Sequence, residues 1–159
     1  MNAFELFGFT PALDIDEAQL AERFARLRAQ FHPDRFSLAS SLERRLAVQR
    51  AADINDAHAI LADPLRRASH LLELRGGATD EAETLQDPAF LMQQMELREA
   101  LDTAQDEATR ARLRAEVQGL WDTTWAALDQ AIDGGDLAEA RRLLQRLQFL
   151  ARFLEQLPR

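Results

Sequence analysis

The sequence predicts an all-α protein built from two helical parts. In several segments apolar residues recur at the spacing of one helix face, which is the primary signal of an amphipathic helix. Three of these segments follow capping signatures, in which Asp or Ser precedes Gln or Glu by three residues. The 159 residues include only 6 Gly and 5 Pro, so long irregular loops are not expected.

The first part is predicted to be a helical hairpin with short flanking helices. Residues 3–9 form a short helix that Gly8 closes. The second helix follows a cap at Asp16, and its buried stripe comprises Leu20, Phe24, Leu27 and Phe31. The third helix runs antiparallel to it, from a cap at Ser40 to about Leu61. Its predicted inward residues are Leu42, Leu46, Ile54 and Leu61. Asp63-Pro64 interrupts the pattern before a further helix over residues 65–75.

The second part is predicted to be an antiparallel three-helix bundle. Residues 76–86 are acidic and lack an apolar period, so they are expected to link a domain over 1–75 to a domain over 87–159. Asp87-Pro88 is a typical helix start, with a capping carboxylate and a proline in the first turn. Short connections separate the three predicted helices, which cover residues 88–104, 106–132 and 137–157.

Composition and charge limit the classes of function. The formal net charge is −8, and every cation is Arg because the chain has no Lys. Residues 1–75 are nearly balanced, whereas 76–159 carry 9 Arg against 16 acidic residues. This is the wrong sign for binding nucleic acid, so a protein partner is the better expectation. The absence of Cys excludes disulfides and thiolate metal sites. No signal peptide or transmembrane span is recognisable, and cytoplasm is the expected location.

The loop between the hairpin helices carries the candidate chemistry of the first part. Pro33 should end the second helix near Phe31 and leave His32 and Asp34 free to meet a partner. Arg23 and Arg26 on that helix then form either an ordinary solvated face or a basic docking face. An incidental helix stop is the alternative for the loop itself.

Catalysis or metal binding would need further groups that the sequence lacks. His32 and Asp34 could act as a base with an orienting acid, but no second catalytic group or phosphate loop accompanies them. His32, His58 and His70 lack the spacing of a metal site. We therefore expect no enzyme activity, no metal and no cofactor.

The bundle carries more apolar surface than its predicted core requires. On the helix over 88–104, Phe90, Leu97 and Leu101 form a seam that can face the bundle. Leu91, Met92 and Met95 lie off this seam, beside Glu96 and Glu99. These three apolar residues belong to a wide buried face, pack against residues 1–75, or form a protein-binding patch, for which flexible thioether side chains are well suited. Phe149 lies nearly opposite the seam of the last helix, so it is either an isolated exposed residue or part of a contact site.

The order of these features resembles a known family. His32-Pro33-Asp34 between a basic helix and an antiparallel partner is similar to the J domain of J-protein co-chaperones, as are Phe4-Glu5-Leu6-Phe7-Gly8 and the segments 54–57 and 61–67. Residues 90–99 (FLMQQMELRE) and 146–150 (RLQFL) resemble the HscB family of iron–sulfur cluster co-chaperones. The resemblance covers nearly the whole chain in order.

The resemblance implies a co-chaperone with two protein partners. It implies that His32, Pro33 and Asp34 contact a heat-shock-class ATPase chaperone (HscA-like), with Arg23 and Arg26 in support, and that the chain accelerates ATP hydrolysis there. It also implies that the bundle binds an iron–sulfur cluster scaffold protein (IscU-like). The residues implied in scaffold binding are Leu91, Met92, Met95, Glu96, Glu99 and Phe149. Thr103 departs from the family's acidic edge, which puts that contact in doubt. A J protein of another branch, with a different client, is the alternative.

Overall fold

The computed structural model describes residues 1–77 and 87–157, and within them it is all-α, as predicted. The α-helices are α1 (Ala3–Leu6), α2 (Glu17–Gln30), α3 (Ser41–Ala62), α4 (Pro64–Leu74), α5 (Pro88–Thr103), α6 (Glu107–Asp133) and α7 (Leu137–Gln156). A short 3-10 helix, Pro33–Phe36, lies between α2 and α3.

Six of the helices begin at a polar side chain that accepts a hydrogen bond from a backbone N–H three residues later. Each such cap satisfies one donor that the helix cannot satisfy itself, and it typically contributes about 1 kcal/mol. The capping residues are Asn2, Asp16, Ser40, Asp87, Asp106 and Asp136. The caps explain why the observed helix starts agree so closely with the sequence prediction.

The chain divides into two compact units, Met1–Leu71 and Leu72–Arg159. This division falls a few residues before the predicted linker of 76–86, most of which (78–86) lies outside the described residues. The first unit contains the hairpin of α2 and α3. The ring of Phe24 on α2 stacks on His58 of α3 with centroids 3.8 Å apart. The core of this unit includes Phe4, Phe7, Leu13, Leu20, Ile54 and Leu61.

Two of the four predicted inward residues of α3 are wrong. Ile54 and Leu61 are buried, but Leu42 and Leu46 are largely exposed and Ala47 is buried in their place. The physical reason is helix length. Arg50 lies over the ring of Phe31, which caps the end of α2, so the first turns of α3 have no α2 residues opposite them.

A buried cation ties α4 to the rest of the first unit. The Arg67 guanidinium donates through Nε to the carbonyl of Leu13 at 2.6 Å and through Nη1 to the carbonyl of Leu61. Burial lowers the pKa of Arg67, and the nearby carboxylates of Asp14, Glu17 and Asp63 oppose that shift. Arg67 therefore donates to two buried carbonyls, one in the loop before α2 and one in the last turn of α3.

The second unit is built on α5, α6 and α7. A tight turn with Gly135 in the left-handed region (φ 76°) joins α6 to α7, and these two helices pack along their length. The core cluster consists of Phe90, Leu97, Leu113, Val117, Phe149, Leu150, Phe153 and Leu157. This arrangement buries one face of α5 and leaves its other face open.

Candidate functional site

The first candidate site is the His-Pro-Asp turn, formed by His32, Pro33 and Asp34. His32 has extended backbone angles (φ −63°, ψ 133°) and caps the 3-10 helix, and Pro33 occupies its first turn. Proline fixes this bend because its ring sets φ and its nitrogen has no proton to donate. The side chains of His32 and Asp34 are 58% and 92% exposed. The turn therefore presents one imidazole and one carboxylate to solvent.

The two functional groups of the turn are held next to each other. His32 Nδ1 accepts a hydrogen bond from the Asp34 backbone N–H at 3.2 Å and lies 3.6 Å from the Asp34 carboxylate. Because Nδ1 acts as an acceptor, neutral His32 carries its proton on Nε2, where it can donate to a partner. The turn therefore offers a donor and an anionic acceptor from adjacent positions.

The two predicted basic residues of α2 have different environments. Arg26 is exposed and pairs with Glu22 at 2.8 Å on the same helix. Arg23 folds back onto the N-terminal segment, where Nη1 donates to the carbonyl of Phe7 at 2.9 Å and the guanidinium lies 4.3 Å from the Phe9 ring centroid. These contacts hold α2 to the segment after α1, and the support that Arg23 would give to chaperone docking stays a prediction.

The other two histidines have roles in packing. His58 stacks on Phe24, and His70 stacks on Phe4 while its Nε2 accepts a hydrogen bond from the Ala3 backbone at 3.4 Å. Across residues 1–77 and 87–157, no group of three or more His, Asp and Glu residues is arranged to hold a metal ion. The geometry therefore gives no support to the alternative of a three-histidine metal site.

The second candidate site is the α5 patch, formed by Leu91, Met92 and Met95 with Glu96 and Glu99 beside them. The three apolar side chains are 59%, 59% and 61% exposed, and both carboxylates are exposed. Spacings of three and four residues place the five side chains on neighbouring turns of one helix surface. Because the apolar members are exposed, their interpretation as part of a wide buried face is wrong.

Phe149 does not lie on an exposed surface, so that part of the prediction is wrong. Its ring meets Phe90 edge to face at 5.5 Å and lies 6.0 Å from Phe153. The Arg98 guanidinium on α5 lies 5.7 Å from the Phe149 ring centroid. α6 packs along α7, and Phe90 of α5 also contacts Phe149 of α7, so the buried face of α7 is wider than the single seam predicted from the sequence. Phe149 therefore packs against the core-facing side of α5 through its contact with Phe90.

A pair that the sequence analysis missed fixes the start of α5. Asp87 accepts hydrogen bonds from Arg146 Nε at 2.7 Å and Nη2 at 2.8 Å, and it also caps α5 by accepting from the Phe90 N–H. The bond from Arg146 is the main cause that lowers the pKa of Asp87 and raises that of Arg146. The cap was visible in the sequence, but the partner 59 residues away was not.

Thr103 is the last residue of α5, one turn after Glu99. Its hydroxyl donates to the backbone carbonyls of Glu99 at 3.1 Å and Ala100 at 3.3 Å. The side chain is therefore engaged by its own helix and brings no negative charge to the edge of the α5 patch.

No helix in the part of the chain that the structure describes combines the length and apolar character required to cross a membrane.

Comparison with known proteins agrees with this arrangement. Residues 86–158 match the family model described as the HSCB C-terminal oligomerisation domain. The Co-chaperone protein HscB homolog of Aeromonas hydrophila is 44% identical over 164 residues, which cover 100% of this chain and 95% of the relative.

Two solved structures share the fold along nearly the whole chain. The chaperone HscB from Vibrio cholerae superposes with a TM-score of 0.84 at 38% identity, covering 99% of this chain and 95% of that one. The human co-chaperone protein HscB superposes with a TM-score of 0.90 at 27% identity, covering 99% and 80%. Identity and coverage at this level show the family. The chain belongs to the HscB family of iron–sulfur cluster assembly co-chaperones.

Proposed function

We propose that this protein is a two-ended adaptor that binds an iron–sulfur cluster scaffold protein and delivers it to a heat-shock-class ATPase chaperone. The α5 patch holds the scaffold, and the His-Pro-Asp turn contacts the ATPase and stimulates its ATP hydrolysis. This assignment would place the protein in the cytoplasm, with an HscA-like chaperone and an IscU-like scaffold as partners.

The observation that carries the proposal is the exposure of Leu91, Met92 and Met95, each more than half open to water. A cluster of large apolar side chains with an acidic edge is costly to leave in solvent, and in a folded protein it typically marks a binding surface. Interfaces of this type are enriched in Met and aromatic residues at their centre and polar at their rim. Glu96 and Glu99 supply that polar rim.

The proposed mechanism is coupling between two binding events. A co-chaperone can shift the chaperone toward its ADP-bound, tightly gripping state only by binding the states of its cycle with different affinities. His32 and Asp34 act in this scheme by contact and orientation at the ATPase surface. The chain itself breaks no bond, so the purified protein alone should not turn over ATP.

The scaffold-binding end is tested by removing the centre of the patch. Leu91→Ala combined with Met92→Ala should abolish measurable scaffold binding in calorimetry, because interface energy concentrates in a few central residues. Val48→Ala, an exposed apolar truncation on α3, is the matched control and should bind as the wild type does. Undiminished affinity in the double variant would refute the assignment of the patch.

The chaperone-binding end is tested with His32→Gln. Because His32 is exposed and outside the core, the variant should keep its helicity and melting temperature but lose stimulation of the chaperone ATPase. A collapse of the fold would instead assign the histidine a structural role. A pull-down from cell extract checks both ends, since the scaffold and the ATPase should be recovered together, whereas a different client would indicate another branch of J proteins.

A further inference from the structure

The beginning of α3 extends beyond the helix against which it packs. Two contacts set the antiparallel register, for Phe24 stacks on His58 and the guanidinium of Arg50 lies 5.9 Å from the Phe31 ring centroid. Phe31 caps the C-terminus of α2, so Arg50 is level with the end of that helix. Residues 41–49 therefore extend past α2 by roughly 13 Å, at a rise of about 1.5 Å per residue.

This extension displays apolar side chains to solvent. Leu42 and Leu46 are 59% and 60% exposed, and their spacing of four residues places them on one face of α3. Leu38, just before the helix, is fully exposed as well. We name these three leucines the leucine strip. Val48 is 57% exposed but lies on a different side of α3, two residues from Leu46.

The leucine strip lies at the same end of the first unit as the His-Pro-Asp turn. The 3-10 helix that begins with Pro33 packs against α3, and Arg50 and Phe31 mark the level at which the turn leaves α2. Leu38 follows Asp34 by only four residues, so the leucine strip begins close to the turn that displays His32 and Asp34.

The size of the leucine strip argues against its being a dimer interface by itself. Three leucine side chains present on the order of a few hundred Å² of apolar surface. A stable interface buries about 800 Å² on each partner. The strip is thus too small for stable self-association alone, and it fits best as one part of a larger contact that includes the turn beside it.

We propose that the leucine strip is an apolar anchor for the ATPase chaperone, adjoining the His-Pro-Asp turn within a single docking surface. This inference rests on the function proposed above. The chaperone would present an apolar patch or segment beside its binding site for the turn. The leucine strip supplies affinity through apolar burial, whereas the turn supplies the stimulation of hydrolysis.

The test separates affinity from stimulation. Leu42→Ala combined with Leu46→Ala keeps helix propensity and removes exposed side chains, so the melting temperature should be unchanged. The co-chaperone concentration that gives half-maximal ATPase stimulation should rise about tenfold or more, because two leucines that the proposed complex would bury are shortened. Maximal stimulation and scaffold affinity should stay as in the wild type. Val48→Ala is the matched control on the same helix and should change neither quantity.

The possible results distinguish this inference from the proposed function. An unchanged half-maximal concentration in the double variant, together with loss of stimulation by His32→Gln, would refute the proposed role of the leucine strip. It would leave the proposed role of the His-Pro-Asp turn unaffected. Full stimulation by His32→Gln would instead contradict the proposed function itself. If sedimentation showed that the double substitution dissociates a dimer while chaperone affinity stays the same, the strip would be a contact between two copies and the inference would be wrong.

Discussion

The ion pair between Asp87 and Arg146 should stabilise the second unit in a manner that depends on pH. Both side chains are mostly shielded, at 16% and 31% exposed, and two short hydrogen bonds join them. Asp87→Asn removes the charge but keeps a side chain that can still cap α5. Hydrogen bonds to charged groups contribute about 1.5–3 kcal/mol, and Asn can retain part of this. We expect a loss of about 1–2 kcal/mol in the free energy of unfolding at pH 7.

The direction of the pH dependence follows from the pKa of Asp87. Its hydrogen bond from Arg146 holds this pKa below the ordinary value in the folded state. The stabilisation is therefore fully present above the unfolded pKa of about 3.9 and is lost as the pH falls through the folded value. The wild type and Asp87→Asn should differ at pH 7 and converge in acid, since protonated Asp87 has also lost its charge.

Tryptophan fluorescence can follow this unit without interference from the other. The chain has 2 Trp residues, Trp121 and Trp125, and both lie on α6 in the second unit. Urea unfolding monitored by their emission gives the free energy at each pH. Asp87→Ala, which removes the cap as well, should lose about 1 kcal/mol more than Asp87→Asn. Equal stability of the wild type and Asp87→Asn at pH 7, or a difference that persists undiminished in acid, would refute the reasoning.

Two further substitutions test the structural assignments made above. Arg67→Met should lower the free energy of unfolding of the full chain by about 2–4 kcal/mol in urea denaturation, because it leaves the buried carbonyls of Leu13 and Leu61 without a donor; a neutral effect would contradict its structural role. Phe149→Ala should lower the free energy of unfolding, followed by tryptophan fluorescence, by about 3–5 kcal/mol because it leaves a cavity in the core. An unchanged stability would contradict the burial of Phe149.

The helices were predictable because the signals that define them are local. A capping side chain and the backbone N–H that donates to it lie three residues apart, and an amphipathic face repeats within two turns, so a short window of sequence contains both. Pro33 similarly determines its own φ and the end of α2 without any distant contact. The observed bounds of α2, α3 and α5 consequently agree with the prediction to within a residue or two.

The errors concern quantities that depend on neighbours distant in the sequence. Helical spacing placed Phe149 opposite a seam, but the width of a buried face depends on all its neighbours, and α7 meets Phe90 of α5 as well as packing along α6. Leu42 follows the core period of α3, yet it is exposed because α2 ends before reaching it. The hydrogen bond from Arg23 to the carbonyl of Phe7, 16 residues away, was likewise not visible in the sequence.

The proposed scaffold binding should be separable from stability in the second unit, because the α5 patch and the core-facing residues lie on opposite faces of α5. Phe90 and Leu97 face the core, with Phe149 behind them, and the α5 patch faces water. Truncating Met95 removes contact area for a partner but no core packing, so it should change affinity without changing stability. A destabilising substitution in the core or at Asp87 affects the α5 patch indirectly, because it weakens the packing of the helix that carries the patch. Scaffold affinity should therefore fall in both classes of variant, but only the second class should also unfold at lower urea concentration.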